Sequence, residues 1–475
     1  MADKAVRVRF APSPTGLMHL GNVRAALFNY LFAKQRGGTF VLRIEDTDPQ
    51  RNFDPGAKCI QADLKWLNII WNEGADAGGQ YAPYFQSKRT QEYQAHLEQL
   101  KQAGRVYPCF CTTEELDQKR QRQKALKQPP RYDRTCYNLS EHDRAQKLEQ
   151  GIAYVYRFAV DHKAQIVIKD LIKGTITFDM KNFSDFPISR ANGSFTFMFA
   201  NCVDDISMKM THVFRGQDHL SNTAGQASIY QALGVQLPTF WHMPILCNRE
   251  GKKLSKRDFG FSLDDLRNQG YLPEAINNYL GIVGGSFEQE ILSLNAMAKA
   301  INFDHRHGAS HVKYDVEKLR WINRQWIAHY PDKQLAHLCR PFLERSWPQA
   351  KQLDDERLIR LITSVKTDLT TLVDAVDALA FVFGAPKQAS TILEQHLGPE
   401  ATQLFKAVAK KSLSQSSGDI VKLLKAEASA SELSAKNLFA GLRIALTGQA
   451  KGLSIHGLVD DLGQEEVRER LGRVL

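Results

Sequence analysis

Val6-Arg-Val-Arg-Phe10, Ala11-Pro-Ser-Pro-Thr-Gly-Leu-Met-His-Leu-Gly-Asn22 and Thr39-Phe-Val-Leu-Arg-Ile44 decide the fold. Apolar and basic side chains alternate through Val6–Phe10, as in a strand with two unlike faces. Two prolines and a glycine then exclude regular structure up to His19. From Asn22 the period becomes helical, with Val23, Leu27, Tyr30 and Leu31 on one stripe. Gly37-Gly38 stops that helix, and Thr39–Ile44 reads as a second strand. Strand, glycine-bearing loop, helix and strand within about forty residues predict the first βαβ unit of a nucleotide-binding sheet.

The loop lies at the carboxyl end of strand one, where open parallel sheets take ligands, and it feeds a helix N-terminus that favours phosphate. His19 stands at that mouth, and Gly21 lets backbone approach a phosphate. Glu45, ending strand two, would face the same crevice. Alone, His-x-Gly carries little: 14 His and 31 Gly in 475 residues predict about one chance match. An isolated match reads as a turn histidine capping a helix. The second cue is Gly251-Lys-Lys-Leu-Ser-Lys-Arg257, which by itself would be a solvated basic loop.

A chain of 475 residues has room for three or more domains. The amino terminus lacks a basic-then-apolar leader. The longest apolar candidate, Ala378–Ala385, stops before Pro386, far short of the ~20 residues that span a bilayer. Seven scattered cysteines fit a reducing cytoplasm. Net charge is +10, of which residues 1–325 hold +9 and residues 326–475 only +1. A polyanionic partner would therefore be drawn mainly to the front two-thirds.

Periodicity predicts helices over 54–70 (Ile60, Leu64, Leu67 and Ile70 on one face), 88–102 and 221–233, and strands at 105–111, 153–158, 165–170, 211–215 and 241–246. Thr112–Arg134 is polar and basic. Ser194–Asp205 should return the chain to the sheet as its second half, and 241–246 should deliver the lysine loop to the crevice from the opposite side. Val316, Leu319, Asn323, Trp326 and Ile327 line one face of a helix. Residues 331–475 read as helical, broken at Pro386, Gly398 and Gly418.

His19-Leu-Gly-Asn22 and Lys253-Leu-Ser-Lys-Arg257 together resemble the His-Ile-Gly-His and Lys-Met-Ser-Lys-Ser signatures of class I aminoacyl-tRNA synthetases. Arg9-Phe-Ala-Pro-Ser-Pro-Thr-Gly16, Arg43-Ile-Glu-Asp-Thr-Asp48, Val203-Asp-Asp205 and Arg215-Gly-Gln-Asp-His-Leu-Ser221 narrow the resemblance to the bacterial glutamyl-tRNA synthetases, from Val6 to about Ile327. The resemblance implies a multidomain α/β chain: a split Rossmann-type parallel sheet with an α+β insertion, then an all-α C-terminal region. The implied domains are 1–108 and 191–247 (nucleotide-binding halves), 109–190 (acceptor-end insertion), 248–325 (lysine loop and tRNA-stem helices) and 326–475 (anticodon-binding).

It further implies two-step, ATP-dependent attachment of L-glutamate to tRNA-Glu, with tRNA-Gln as an alternative acceptor, by a cytoplasmic, monomeric ligase without a membrane partner. His19, Lys253, Ser255 and Lys256 would be catalytic. Pro12, Thr15, Gly16, His19, Gly21, Asn22 and Lys256 would bind ATP with its Mg2+. Arg9, Ala11, Ser13, Glu45, Phe197, Asn201 and Arg215 would bind glutamate. The chemistry needs no strong base, only positioning and neutralisation of phosphate charge. Two departures stand out: Phe195-Thr-Phe197 where the family has Pro-Thr-Tyr, and Gln217 where it has glutamate. Cys109-x-Cys111 and Cys136 resemble the Cys-x-Cys-x24-Cys-x-His zinc site of part of the family. Here the fourth position is Asn138, with His142 four residues on, so cysteines without zinc are the favoured reading. A base-glutamylating relative would lack the helical region after Tyr330, and a non-catalytic tRNA-binding paralogue need not keep His19, Lys253 and Lys256.

Overall fold

The computed structural model describes residues 5–54, 56–255, 258, 260, 262–283, 287–303, 311–415, 418–450, 452 and 454–475. The chain divides into a first unit, Met1–Asn268 with Pro273–Leu319, and a second, Gln269–Leu272 with Arg320–Leu475.

In the first unit the expected βαβ unit is β1 (Arg7–Phe10), α1 (Leu20–Gln35) and β2 (Thr39–Leu42). β1 and β2 run parallel, with Arg7 opposite Thr39. Val23, Leu27 and Leu31 of α1 are buried, but so are Leu20, Arg24, Phe28, Asn29 and Phe32. Strands cover one side of this helix and later helices the other, so no polar face survives. The basic face of β1 does not meet water either. Arg7 forks onto Glu73 (2.9 Å to each oxygen), and Arg9 forks onto Asp205 (3.0 and 3.2 Å).

α2 (Lys58–Trp66) is shorter than the helix expected over 54–70. Asn68 is left-handed (φ 57°), which ends the helical phase: Ile69 is buried and Ile70 is half exposed. β3 (Glu73–Gly74) pairs parallel with β2, and α3 (Thr90–Gln102) leads into the insertion. There β4 (Val106–Cys109) precedes two surface helices, α4 (Thr113–Ala125) and α5 (Glu141–Glu149), neither of which buries a residue. Thr112 starts α4 with a capping box to Glu115 (3.2 and 2.9 Å). β5 (Val155–Phe158), the hairpin β6 (Gln165–Asp170) and β7 (Gly174–Asp179), and β8 (Phe186–Pro187) follow. β4, β5 and β8 form an antiparallel sheet.

Residues 194–205 do not return as a strand. Most of them form α6 (Phe197–Ser207), because Phe199, Ala200, Cys202 and Val203 recur at helical spacing and pack inward. β9 (His212–Gly216), α7 (Leu220–Ala232) and β10 (Thr239–Met243) then supply the second half-sheet, ordered β7-β6-β10-β9. β9, β10 and β6 are mutually parallel neighbours. Arg7 N bonds Thr211 Oγ1 (2.9 Å) and Thr211 N bonds Arg7 O (3.0 Å), bringing the two half-sheets edge to edge. The strand expected at 241–246 is two, β10 and β11 (Ile245–Cys247), divided at Pro244, which has no amide to give a ladder. α8 (Leu263–Asn268), α9 (Pro273–Ile282), α10 (Leu294–Ala300), β12 (His311–Lys313, parallel to β11) and α11 (Val316–His329) follow.

In the second unit, Asn323 and Ile327 of α11 are buried. The chain beyond it is all helical among the described residues, from Asp332 to Arg473. Gly398 (φ 79°) and Gly418 (φ 114°) separate helices where the sequence places breaks. No helix of the described residues is long and apolar enough to cross a membrane.

Candidate active site

A cleft of about 760 Å³ opens where β1, β9 and β10 end and α1 begins. It is lined by Arg9, Ala11, Pro12, Ser13, Thr15, Gly16, His19, Gly21, Asn22, Glu45, Phe197, Asn201, Arg215 and Lys253. Residues more than two hundred positions apart thus meet in one cavity. Ser255 is not on its wall, and Lys256 lies outside the described residues.

His19 is the N-cap of α1, and the capping reading holds alongside the cleft location. Its Nδ1 accepts from the amides of Gly21 (3.1 Å) and Asn22 (3.3 Å), while Asn22 Oδ1 accepts from His19 N (3.3 Å). Two helix-end amides expected to meet phosphate are therefore spent on the imidazole, and an Nδ1 that accepts leaves the ring proton on Nε2. Burial, and then the charge of Lys253, hold the His19 pKa below its ordinary value, against the opposing pull of Asp218. Both the lowered pKa and the accepting Nδ1 favour a neutral ring with its proton on Nε2.

The lysine loop arrives from β11. Asn248 Oδ1 accepts from the amides of Glu250 (3.1 Å) and Lys252 (3.0 Å), and Gly251 turns at φ 79°. Leu254 N then bonds back to Leu246 O (3.1 Å). Lys253 reaches Asp218 (2.8 Å) at the cleft, an exposed pair worth little in stability. Ser255 instead bonds Asp258 through both its amide (2.8 Å) and its hydroxyl (2.9 Å). Beyond the loop, Leu263 N donates to Met18 O (2.9 Å), so the two signatures are tied to each other.

Deeper in, two arginines sit in unlike surroundings. Arg9 is neutralised by Asp205, whose Oδ1 also takes Arg43 (2.6 Å). Arg43, fully buried, further pairs with Glu45 (3.2 Å) and Asp204 (3.7 Å). Burial alone would lower its pKa, but Asp205, Asp204 and Glu45 outweigh that and raise it. Asn201 donates to the same Glu45 Oε1 (2.5 Å) and accepts from Gln226 (3.0 Å). No described residue bonds Glu45 Oε2, and burial holds this carboxyl above its usual range despite Arg43. Arg215 has no carboxylate partner among the described residues. Its Nη2 donates to Thr223 (2.6 Å), while its buried Nε has no hydrogen-bond partner. Burial first, and Arg9 second, push its pKa down to about 10. The cleft therefore presents an unneutralised guanidinium beside a carboxylate oxygen, a complement to a ligand carrying both carboxylate and ammonium.

The family model described as "tRNA synthetases class I (E and Q), catalytic domain" matches residues 5–321, and that described as "Anticodon binding domain" matches 334–475. A glutamate–tRNA ligase of Bacillus licheniformis is 37% identical over 481 residues, covering 99% of each chain. The chain belongs to the class I tRNA synthetases, in their bacterial glutamyl branch. A glutamate–tRNA ligase of Bacillus subtilis is 36% identical over 480 residues, again covering 99% of both. Among solved structures, a glutamate tRNA ligase from Elizabethkingia meningosepticum, in complex with its amino acid, matches with TM-score 0.85 and 33% identity over 99% of each chain.

This synthetase carries a second cluster in its insertion. The ligand atoms of Cys109, Cys111 and Cys136 lie within 4.8 Å of one another, with 3.5 Å between the Cys111 and Cys136 sulfurs. The Tyr132 hydroxyl lies beside them, 3.3 Å from Cys109 Sγ and 3.8 Å from Cys111 Sγ, and accepts from Cys136 N (2.9 Å). A closed structural zinc site takes four donors, and the cluster offers three sulfurs with this oxygen next to them. Asp205, Asp218, Thr223 and Tyr132 join through partners that folding brings to them: Arg9, Lys253, Arg215 and Cys109. The words Val203-Asp-Asp205 and Arg215–Ser221 contain the first two, and nothing local marks the others.

Proposed function

We propose that this chain attaches L-glutamate to tRNA-Glu in two ATP-dependent steps. A glutamate α-carboxylate oxygen attacks the α-phosphorus of ATP, the bond to pyrophosphate breaks, and glutamyl-adenylate forms. A hydroxyl of the tRNA 3′-terminal adenosine then attacks the activated carbonyl, releasing AMP and a proton. Pro12, Thr15, Gly16, Gly21 and Asn22 shape the nucleotide loop, and His19 donates from Nε2 to phosphate. Lys253 and Lys256 neutralise charge from the opposite side, with Ser255 shaping their loop through Asp258. Arg215 receives substrate carboxylate and Glu45 the ammonium, while Arg9, held by Asp205, lines the glutamate pocket with Ala11, Ser13, Phe197 and Asn201. Mg2+, bound with the triphosphate, would add charge neutralisation. Residues 109–190 and 248–325 contact the acceptor end and stem, and residues 326–475 the anticodon. The chain acts as a cytoplasmic monomer, and tRNA-Gln is a second candidate acceptor.

The observation that carries this reading is Arg215, a buried cation with no carboxylate partner among the described residues, in the cleft that also holds His19 and Lys253. The test is ATP-dependent glutamylation of purified tRNA-Glu and tRNA-Gln by wild type and Arg215→Ala. Loss of a charged hydrogen-bond partner should raise KM for glutamate about 10- to 100-fold. A wild-type chain that binds tRNA but forms no ester would overturn the proposal.

A further inference from the structure

Four elements meet behind Arg215. Its Nη2 donates to Thr223 Oγ1 on α7 (2.6 Å). Thr223 Oγ1 is 2.7 Å from His242 Nε2 on β10, and His242 Nδ1 is 2.7 Å from Asp170 Oδ2, at the end of β6 in the insertion. His242 stands directly opposite Arg215 in the β10–β9 pairing. Thr223 and His242 are fully buried and Asp170 nearly so. The direction of each bond follows from the ends. Asp170 accepts from the amides of Ile172 (2.9 Å), Lys173 (2.8 Å) and His242 (3.0 Å), so it is an acceptor throughout. His242 must therefore donate from Nδ1. Burial lowers the ring's pKa against the pull of Asp170, and in a neutral ring that donates from Nδ1 the Nε2 lone pair faces Thr223. Thr223 then donates to His242, its shorter contact, in preference to His219 O at 3.1 Å. The hydroxyl oxygen faces Arg215 as an acceptor.

We propose that Asp170, His242 and Thr223 are positioning residues: a buried hydrogen-bond relay that aims Arg215 at the substrate carboxylate while leaving its charge unneutralised. This rests on the reading of Arg215 as a glutamate ligand. Arg9 shows the alternative, a guanidinium clamped by the carboxylate of Asp205 on two nitrogens. A carboxylate in the place of Thr223 would hold Arg215 equally well but would cancel the charge the substrate needs. The relay keeps the anion, Asp170, three hydrogen bonds away and delivers only an oriented lone pair, each bond polarising the next. Selectivity for an anionic substrate is thereby built from a neutral contact.

The test compares Thr223→Val and Thr223→Ser in the full chain, reading kcat, KM for glutamate and KM for ATP in tRNA glutamylation. Valine keeps the shape and removes the acceptor, while serine keeps the acceptor and removes a methyl group. The relay predicts that valine raises KM for glutamate about tenfold with KM for ATP unchanged, and that serine stays within about twofold of wild type. The reverse order, serine harmful and valine harmless, would mean the site only packs and would overturn the relay. As a measurement free of any variant, 15N shifts of His242 should report a neutral ring protonated on Nδ1 between about pH 6 and 8. A ring protonated on Nε2 overturns the relay. Arg215→Ala separates the two levels: if it leaves KM for glutamate unchanged, the pocket assignment itself is wrong. If it raises that KM while Thr223→Val does not, only the relay fails.

Discussion

A Cβ on residue 21 would sit 2.9 Å from Cε1 and 3.0 Å from Nδ1 of His19, so the glycine of the His-x-Gly element makes room for the imidazole. Gly21→Ala should tilt the ring and misdirect its Nε2 proton, lowering kcat by on the order of 100-fold. Because alanine favours helix by about 1 kcal/mol over glycine, thermal stability should hold or rise. Glutamylation kinetics beside a thermal melt check this, and a parallel loss of stability would contradict it. At this scale the sequence reveals who is in the cleft and conceals what each residue does there. The motif words name Arg9, His19, Glu45 and Arg215, but Arg9 finds Asp205 across the β1–α6 packing. No local pattern tells a clamped arginine from an open one. Asn201 likewise reads as a substrate contact, and its bonds to Glu45 and Gln226 are legible only in the fold.

Elements were legible where one period dominates. The βαβ start, α7 and the helical C-terminal stretch follow their apolar spacing, whereas α6 is dense in aromatics and fits strand or helix until packing decides. The cysteine cluster was half legible for a related reason. Cys109, Cys111 and Cys136 are visible as a spacing, but Tyr132 joins them only because its loop folds back on β4. If those four groups hold zinc, the purified protein should carry about one zinc per chain, and Tyr132→Phe should lower that content and the melting temperature together. Elemental analysis with a melt before and after chelation reads both, and a metal-free wild type with an unchanged melt refutes it.

Over the whole molecule, the positive charge is unevenly placed. The front two-thirds hold +9 of the net +10, and the exposed α4 presents Arg122 and Lys124 without ion-pair partners among the described residues. KM for tRNA should climb with salt, and replacing Arg122 and Lys124 by alanine should flatten the log–log salt slope by about 1 to 2 while kcat is kept. An unchanged slope would place the tRNA elsewhere.

The hairpin of β6 and β7 belongs to the inserted segment by sequence, yet β6 is a member of the main sheet beside β10. Its Ile166 and Ile168 share a core with Phe199, Val213, Ile229 and Phe240 of the second half-sheet. Anyone trimming this enzyme to a minimal adenylating fragment by cutting out residues 109–190 would tear away a wall of the building along with the annexe: the sheet would gain a raw edge, the core would open, and with Asp170 gone His242 would lose its anchor.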